Sequence, residues 1–309
     1  MIGMSLINLL LEKNIEIFAI SRSNSKKINK LHCLNKVNII ECDLSDLLSI
    51  SSKIQDNCDT FFHLGWIGTS KQQRDDPYTQ ESNIQYTLDA VKLANELECK
   101  TFVGAGSQAE YGIVDQKLCD NTSVNPIMAY GIAKYAAGKL SKLLCDNIDI
   151  KHVWGRVLSV YGPGDNDYTL VMSCIKSLIN NEKFSTTEGK QLWDYMYSED
   201  CANAFLSIAE KGKHGNTYCI CSGEVKSIKE YIEIIKSNFS SSMNIGYGDL
   251  EYSNNQIMYL HGDISKLHEH TGFKPEVSFE NGIKKTIDWF KMNNMNGGGV
   301  KNSIIYELD

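Results

Sequence analysis

The chain lacks any apolar run long enough to span a bilayer, so no helical membrane segment is expected. It also lacks a basic excess. Against 38 Asp and Glu stand 31 Lys and Arg, and the net charge of -7 argues against a nucleic-acid binder or a basic membrane-surface protein. Residues 1–12 show neither the basic region nor the cleavage pattern of a secretory signal. None of the 10 cysteines forms a Cys-x-x-Cys pair, and the 7 histidines show no His-x-x-x-His or Glu-x-x-His spacing, so no metal site is expected. The cysteines read as reduced thiols of a cytoplasmic protein, most of them core fillers. No internal repeat is present. What remains is an ordinary globular composition over 309 residues, room for one large domain or two smaller ones.

Through the first half, short apolar strands alternate with longer helical patterns. Residues 15–20, 37–41, 60–64, 100–105 and 150–157 read as strands, and 4–13, 44–54, 80–98 and 129–145 as helices. That alternation predicts an α/β fold, a Rossmann-type doubly wound parallel sheet with helices on both faces. After Tyr161 the pattern loosens. A loop at Gly162-Pro163-Gly164 precedes a helix near 169–180, and Glu188-Gly189-Lys190 marks a turn. Another helix begins near Ser198. Ser227 with Glu230 resembles a capping box ahead of 228–237, and a last amphipathic helix runs over about 279–292. The expected organisation is a dinucleotide-binding domain over 1–161, to which 198–221 returns. Residues 162–197 and 222–292 would form a smaller substrate-binding domain, followed by a flexible Asn- and Gly-rich tail over 293–309.

The opening of such a fold is missing its usual parts. A doubly wound sheet normally starts with a strand, a glycine-rich turn and a helix, and the turn brings the backbone against a pyrophosphate at the helix N-terminus. Here Met1-Ile2-Gly3 runs straight into a helix, with Gly3 read as the last glycine of that turn. The expectation is that the true start lies upstream. The competing expectation is a truncated or degenerate relative that folds without holding a dinucleotide. The next strand ends in Ser21-Arg22-Ser23, where this fold reads the adenosine ribose. An acidic residue there selects the 2'-hydroxyl of NAD and an arginine accommodates the 2'-phosphate of NADP, so Arg22 tilts the expected NAD(P) cofactor toward NADP.

The chemistry-bearing motif lies mid-chain. Tyr130-Gly-Ile-Ala-Lys134 places a phenol and an ammonium one turn apart on one helix face. Upstream, Gly104-Ala-Gly-Ser107 presents a hydroxyl from a strand end. A nearby ammonium favours phenolate, lowering the tyrosine pKa from about 10. A tyrosine tuned this way can move a proton to or from a sugar hydroxyl or carbonyl, and a serine can hydrogen-bond the same oxygen.

Further motifs follow in order: Cys42-Asp43-Leu44, His63-Leu64-Gly65, Asn83, Tyr111-Gly112, Arg156 to Gly164, Asp194-Tyr195, Glu199-Asp200, Asp263 to Lys266 and Thr271 to Pro275. With them the chain resembles, over about residues 2 to 291, the extended short-chain dehydrogenase/reductases that act on nucleotide sugars as epimerases, dehydratases and reductases. The resemblance implies a catalytic set of Ser107, Tyr130 and Lys134, with Asn83 holding Lys134. It implies cofactor contacts from Asp43 and Leu44 at the adenine and from Leu64, Gly65 and Trp66 at the diphosphate and ribose. Arg156 to Tyr161, Val157 among them, would border both ligands, and Gln108, Trp193 and Asp194 would join Ser107 and Tyr161 on the substrate side. The implied substrate is a nucleotide-diphosphate sugar.

The departures narrow the chemistry. Members that perform 4,6-dehydration carry an Asp-Glu pair directly after the serine, and here those positions are Gln108 and Ala109. Glu110 comes one place late and, on a strand, is expected to face the other way. Dehydration and decarboxylation are therefore disfavoured, while an epimerase and a 4-keto reductase both fit. Trp193 stands where many members have a phosphate-binding arginine, so recognition of the nucleotide diphosphate follows from the resemblance alone. A homodimer is implied through the helices at 80–98 and 129–145, with Val91, Leu93, Ala94, Tyr135, Leu140 and Leu144 as its apolar face.

Overall fold

The computed structural model describes residues 1–23, 31, 34–70, 73–239 and 244–295. The tail expectation for residues 296–309 lies outside these. Six parallel strands make the central layer. Ile17–Ser21 pairs with Val37–Glu41, and a second sheet runs in the order Asn216–Ile220, Lys151–Val157, Thr101–Ser107, Thr60–His63. Ile17–Ser21 and Thr60–His63 share no ladder hydrogen bonds. Side-chain packing joins the two sheets instead. Leu6 and Leu10 of the Ile2–Glu12 helix bury against Ile17 and Ala19, while Phe62 and Leu64 press on the same cluster together with Ala202 and Leu206 of the Ser198–Lys211 helix.

On the other face lie Pro77–Glu96 and Ala129–Asn147. The first starts sharply because the Asp76 carboxylate accepts from the N–H groups of Tyr78 and Thr79, and Pro77 needs no partner for its nitrogen. Its inward stripe includes Val91, Leu93 and Ala94, all fully buried against Phe102 and Ile50. The expected dimer face is thus wrong for these three residues, which pack within the chain because they fall on the same side as Asn83 and Thr87. Leu144 also packs against this core. The apolar residues left outside on the second helix are Ile132, Leu140 and Leu143, at 53, 42 and 58 % exposure.

Residues 44–54 are not an α-helix. They form the 3-10 segment Leu44–Lys53, capped by Asp43. Leu44, Leu47 and Ile50 recur every three residues, which suits three residues per turn, and the serines between them compete for backbone hydrogen bonds. Beyond Tyr161 a separate apolar cluster gathers Tyr161, Tyr197, Tyr231, Phe279 and Ile283. The Ser227–Glu230 capping box forms, opening Ile228–Lys236. The last helix, Phe279–Met295, continues three residues past the expected end, where Asn293 donates back to the Trp289 carbonyl at 2.8 Å. No described helix is long and apolar enough to cross a membrane, and every described cysteine is free.

Phe205, fully buried, packs its ring beside Gly155 and joins the Ser198–Lys211 helix to the sheet. Phe205→Ala is expected to lower the unfolding free energy by about 3–5 kcal/mol in a urea titration. A loss below about 1 kcal/mol would show that this helix does not depend on the sheet for its place.

Candidate active site

The site is built where Thr101–Ser107 ends. Trp154 on the neighbouring strand lies flat against Gly104 and Gly106, so a side chain at either glycine would collide with the indole. Past Ser107 the chain does not continue as a strand. It turns into the 3-10 segment Gln108–Glu110, and Glu110 folds back beneath Ser107. One carboxylate oxygen accepts the Ser107 N–H at 2.9 Å and the Trp154 indole N–H at 3.0 Å. The other accepts the Arg156 Nε–H at 2.6 Å. The expectation that Glu110 faces away along a strand is corrected: a capping box reverses the chain and buries the carboxylate. Both ionic partners are nearly inaccessible, at 5 % for Arg156 and 1 % for Glu110. A buried carboxylate is tolerable here because its oxygens are paired with donors. Arg156 stacks in turn on Tyr111, its guanidinium carbon 4.5 Å from the ring centroid.

Tyr130 stands in the first turn of Ala129–Asn147. Asp75 accepts the Ala129 N–H at 3.3 Å and so caps this helix from outside. Ser107, Tyr130 and Lys134 come together. The Ser107 hydroxyl accepts from the Ala109 N–H at 3.2 Å and lies close enough to Tyr130 to favour its phenolate, and the Lys134 ammonium donates to the Ala105 carbonyl at 2.7 Å, one strand residue pair below Ser107. Lys134 Nζ lies 3.7 Å from the Trp66 ring centroid but 5.9 Å from that of Tyr130. Burial pulls the lysine pKa down to about 7. It pushes the tyrosine pKa up, and the opposing influences are first Arg74 and then the Ser107 hydroxyl. The expectation that Lys134 lowers the tyrosine pKa is not met in this arrangement, because its charge is turned to Ala105 and Trp66.

Asn83 is buried but does not touch Lys134. Its amide brackets Ile67, accepting that N–H at 2.8 Å and donating to that carbonyl at 2.9 Å. It therefore fixes the loop that carries Gly65 and Trp66. Gln80 completes this task by accepting the Trp66 indole N–H and donating to the carbonyls of Gly68 and Gln73. Gln80 and Arg74 were not singled out from the sequence. Only Asp76-Pro77 signals a helix start, and nothing in the spacing says that the residues before it land on Tyr130.

The residues expected around a dinucleotide line the C-terminal ends of the parallel strands, where ligands bind in open α/β sheets. Arg22, Ser23, Glu41, Cys42, Asp43, Asp46 and Ser49 surround a cleft of about 540 Å³. Ser21 ends its strand at the cleft. Gly65 lies so close to Leu44 that a Cβ there would sit 3.0 Å from the leucine methyl. Gly3 is open, with only the Leu64 methyl 3.9 Å away, and Val157 pairs opposite Ser107 in the ladder. The chemistry of this donor set fits an adenosine at the cleft.

On the substrate side the picture differs from expectation. Asp194 is fully buried and committed to Ser222 N–H and O–H, Gly223 N–H and Gly262 N–H at 2.7–3.3 Å, so it ties three segments together and is not free for a ligand. Tyr161 is also fully buried and donates to the Phe279 carbonyl at 3.2 Å. Trp193 donates to Ser159 at 2.7 Å and is half-buried, as is Gln108.

The model of the NAD dependent epimerase/dehydratase family matches residues 1–221. The chain belongs to that family. A dTDP-D-glucose 4,6-dehydratase of Mus musculus is 28 % identical over 219 residues, covering 68 % of this chain and 61 % of its own length. A CDP-abequose synthase of Salmonella muenchen is 33 % identical over 162 residues, covering 52 % of this chain and 55 % of its own. The chain thus spans less than two thirds of the length of these relatives. A solved UDP-N-acetylglucosamine 4-epimerase of Methanobrevibacter ruminantium M1, in complex with UDP-N-acetylmuramic acid, superposes with a TM-score of 0.84 at 23 % identity, covering 95 % of this chain and 96 % of that one. That likeness establishes the extended Rossmann-type fold.

The family member described here should depend on its buried ion pair. Glu110→Ala leaves Arg156 charged and alone, and is expected to lose about 3–5 kcal/mol in denaturant unfolding. A loss under about 1 kcal/mol would mean that water or another group replaces the carboxylate.

Proposed function

We propose that this protein is an NAD(P)-dependent nucleotide-sugar epimerase or 4-keto reductase that works through Ser107, Tyr130 and Lys134. The observation that carries this reading is the convergence of the three side chains at the sheet's C-terminal edge, while Glu110, the carboxylate nearest Ser107, is already committed to Arg156. A 4,6-dehydration needs an acid and a base free to reach two carbons, and this pocket offers no such carboxylate pair beside Ser107. That is the ground for setting aside the activity named for the 28 % identical relative.

In the proposed reaction the cofactor, when bound, accepts or returns a hydride. Tyr130 takes the proton from the sugar hydroxyl, or gives it to the carbonyl, and Ser107 hydrogen-bonds the same oxygen. Lys134 is the group that would hold the nicotinamide ribose. Residues 1–161 and 198–221 would carry the cofactor, with 162–197 and 222–292 covering the sugar nucleotide. We assign the protein to the cytoplasm, in keeping with its free thiols. A homodimer through Ile132, Leu140 and Leu143 is part of the same reading.

Tyr130→Phe should lower kcat at least about 100-fold while leaving dinucleotide affinity within about twofold. Unchanged turnover would overturn the assignment of the proton to Tyr130. Stoichiometric consumption of NADPH identifies the reductase, and turnover without net consumption identifies the epimerase. Arg22 shares its cleft with Glu41, Asp43 and Asp46, so it is the one basic group among these lining residues able to meet a 2'-phosphate. In calorimetry, Arg22→Ala is expected to weaken NADPH about tenfold and leave NADH unchanged. Equal weakening of both would remove the preference for NADP.

A further inference from the structure

Arg74 sits in the short 3-10 turn Gln73–Asp75, which docks on the N-terminus of the tyrosine's helix through Asp75 and Ala129. Docking brings the guanidinium over the phenol, its carbon 4.3 Å from the ring centroid. Its buried Nε has no hydrogen-bond partner among the described residues. Gln80, by holding both Gly68 and Gln73, fixes the ends of the loop that delivers it. We propose that Arg74 is the positioning residue that supplies the positive charge facing Tyr130, a task the Tyr-x-x-x-Lys motif would give to Lys134.

The other groups around the ring cannot do this. Lys134, on the same helix, points at the Ala105 carbonyl and the Trp66 ring. Glu110, from the turn after Ser107, is negative and is neutralised by Arg156. Ser107 contributes a neutral hydroxyl, Trp66 packs edge-on at 6.0 Å, and Asp75 is spent on the Ala129 N–H. Charge persistence separates the two cations further. Lys134, with a pKa of about 7, has lost its charge by the pH at which a phenol titrates, whereas a guanidinium keeps its charge throughout. A planar guanidinium lying over the ring is also well shaped for that contact.

The inference rests on the reading of Tyr130 as the proton-transfer residue, but its test reads the tyrosine and not turnover. Phenolate absorbance of the 309-residue chain is titrated against pH for the parent protein, Arg74→Gln, Arg74→Lys and Lys134→Met. Each is referenced to the same protein carrying Tyr130→Phe, which cancels the other tyrosines. Arg74→Gln is expected to raise the Tyr130 midpoint by about one pH unit, a tenfold change. Lys134→Met is expected to move it less. Arg74→Lys, which keeps the charge, should stay within about half a unit of the parent, and it remains informative if the glutamine variant fails to fold. An unshifted midpoint in Arg74→Gln, a full-unit rise in Arg74→Lys, or a larger shift in Lys134→Met than in Arg74→Gln would each overturn the proposal.

Discussion

The carboxylate of Glu110 is the group on which the candidate site turns. By accepting from Ser107 N–H, Trp154 and Arg156 at once, it ends a strand, starts a turn and locks two side chains of the next strand. Gly104 and Gly106 follow from this constraint, since the indole it holds occupies the space over both. So does the direction of Ser107, whose hydroxyl is left facing Tyr130 once its own N–H is tied down. The same indole continues a stack of rings across the sheet through His152 and Phe102 to Phe61 and His63. Both histidines are buried, with pKa values pulled down to about 3, and so remain neutral parts of that stack near pH 7.

Electrostatically the site separates two roles that a sequence motif merges. One buried cation, Arg156, is matched by a buried anion and serves the architecture. A second, half-buried cation, Arg74, lies against the Tyr130 phenol with its Nε unmatched among the described residues, while burial lowers the Lys134 pKa to about 7. Desolvation is the dominant influence on both Tyr130 and Lys134, so the protein's folded state works against charge on either one. Neither group is strongly held in its charged form.

Much of this was legible in the sequence. Alternating strands and helices pointed to the parallel architecture, because such strands are buried on both faces, as Thr101, Phe102 and Val103 are. The spacing of Tyr130 and Lys134 was readable because helical geometry fixes it locally. What escaped was non-local. Glu110 looked like a misplaced strand residue because its partners, Trp154 and Arg156, come more than 40 positions later. Val91, Leu93 and Ala94 were assigned to a subunit face because periodicity shows that a helix has an apolar side but not what lies against it. Asp194 carried a family role in the sequence, yet its carboxylate is consumed by backbone N–H groups near 222 and 262. Asn83 was expected at Lys134 and instead grips the backbone of Ile67, 16 positions away.

The central claim is that this chain moves a hydride and a proton at a sugar carbon. Its most direct test is the absorbance of nicotinamide bound to the purified protein. UDP-, dTDP-, CDP- and GDP-sugars and their 4-keto forms are added in turn to the NAD- and NADPH-loaded chain. At least one pair is predicted to change the redox state of the nicotinamide in a single turnover, with the change lost in Tyr130→Phe. No change with any of these substrates, or a change that persists without the tyrosine hydroxyl, would contradict it.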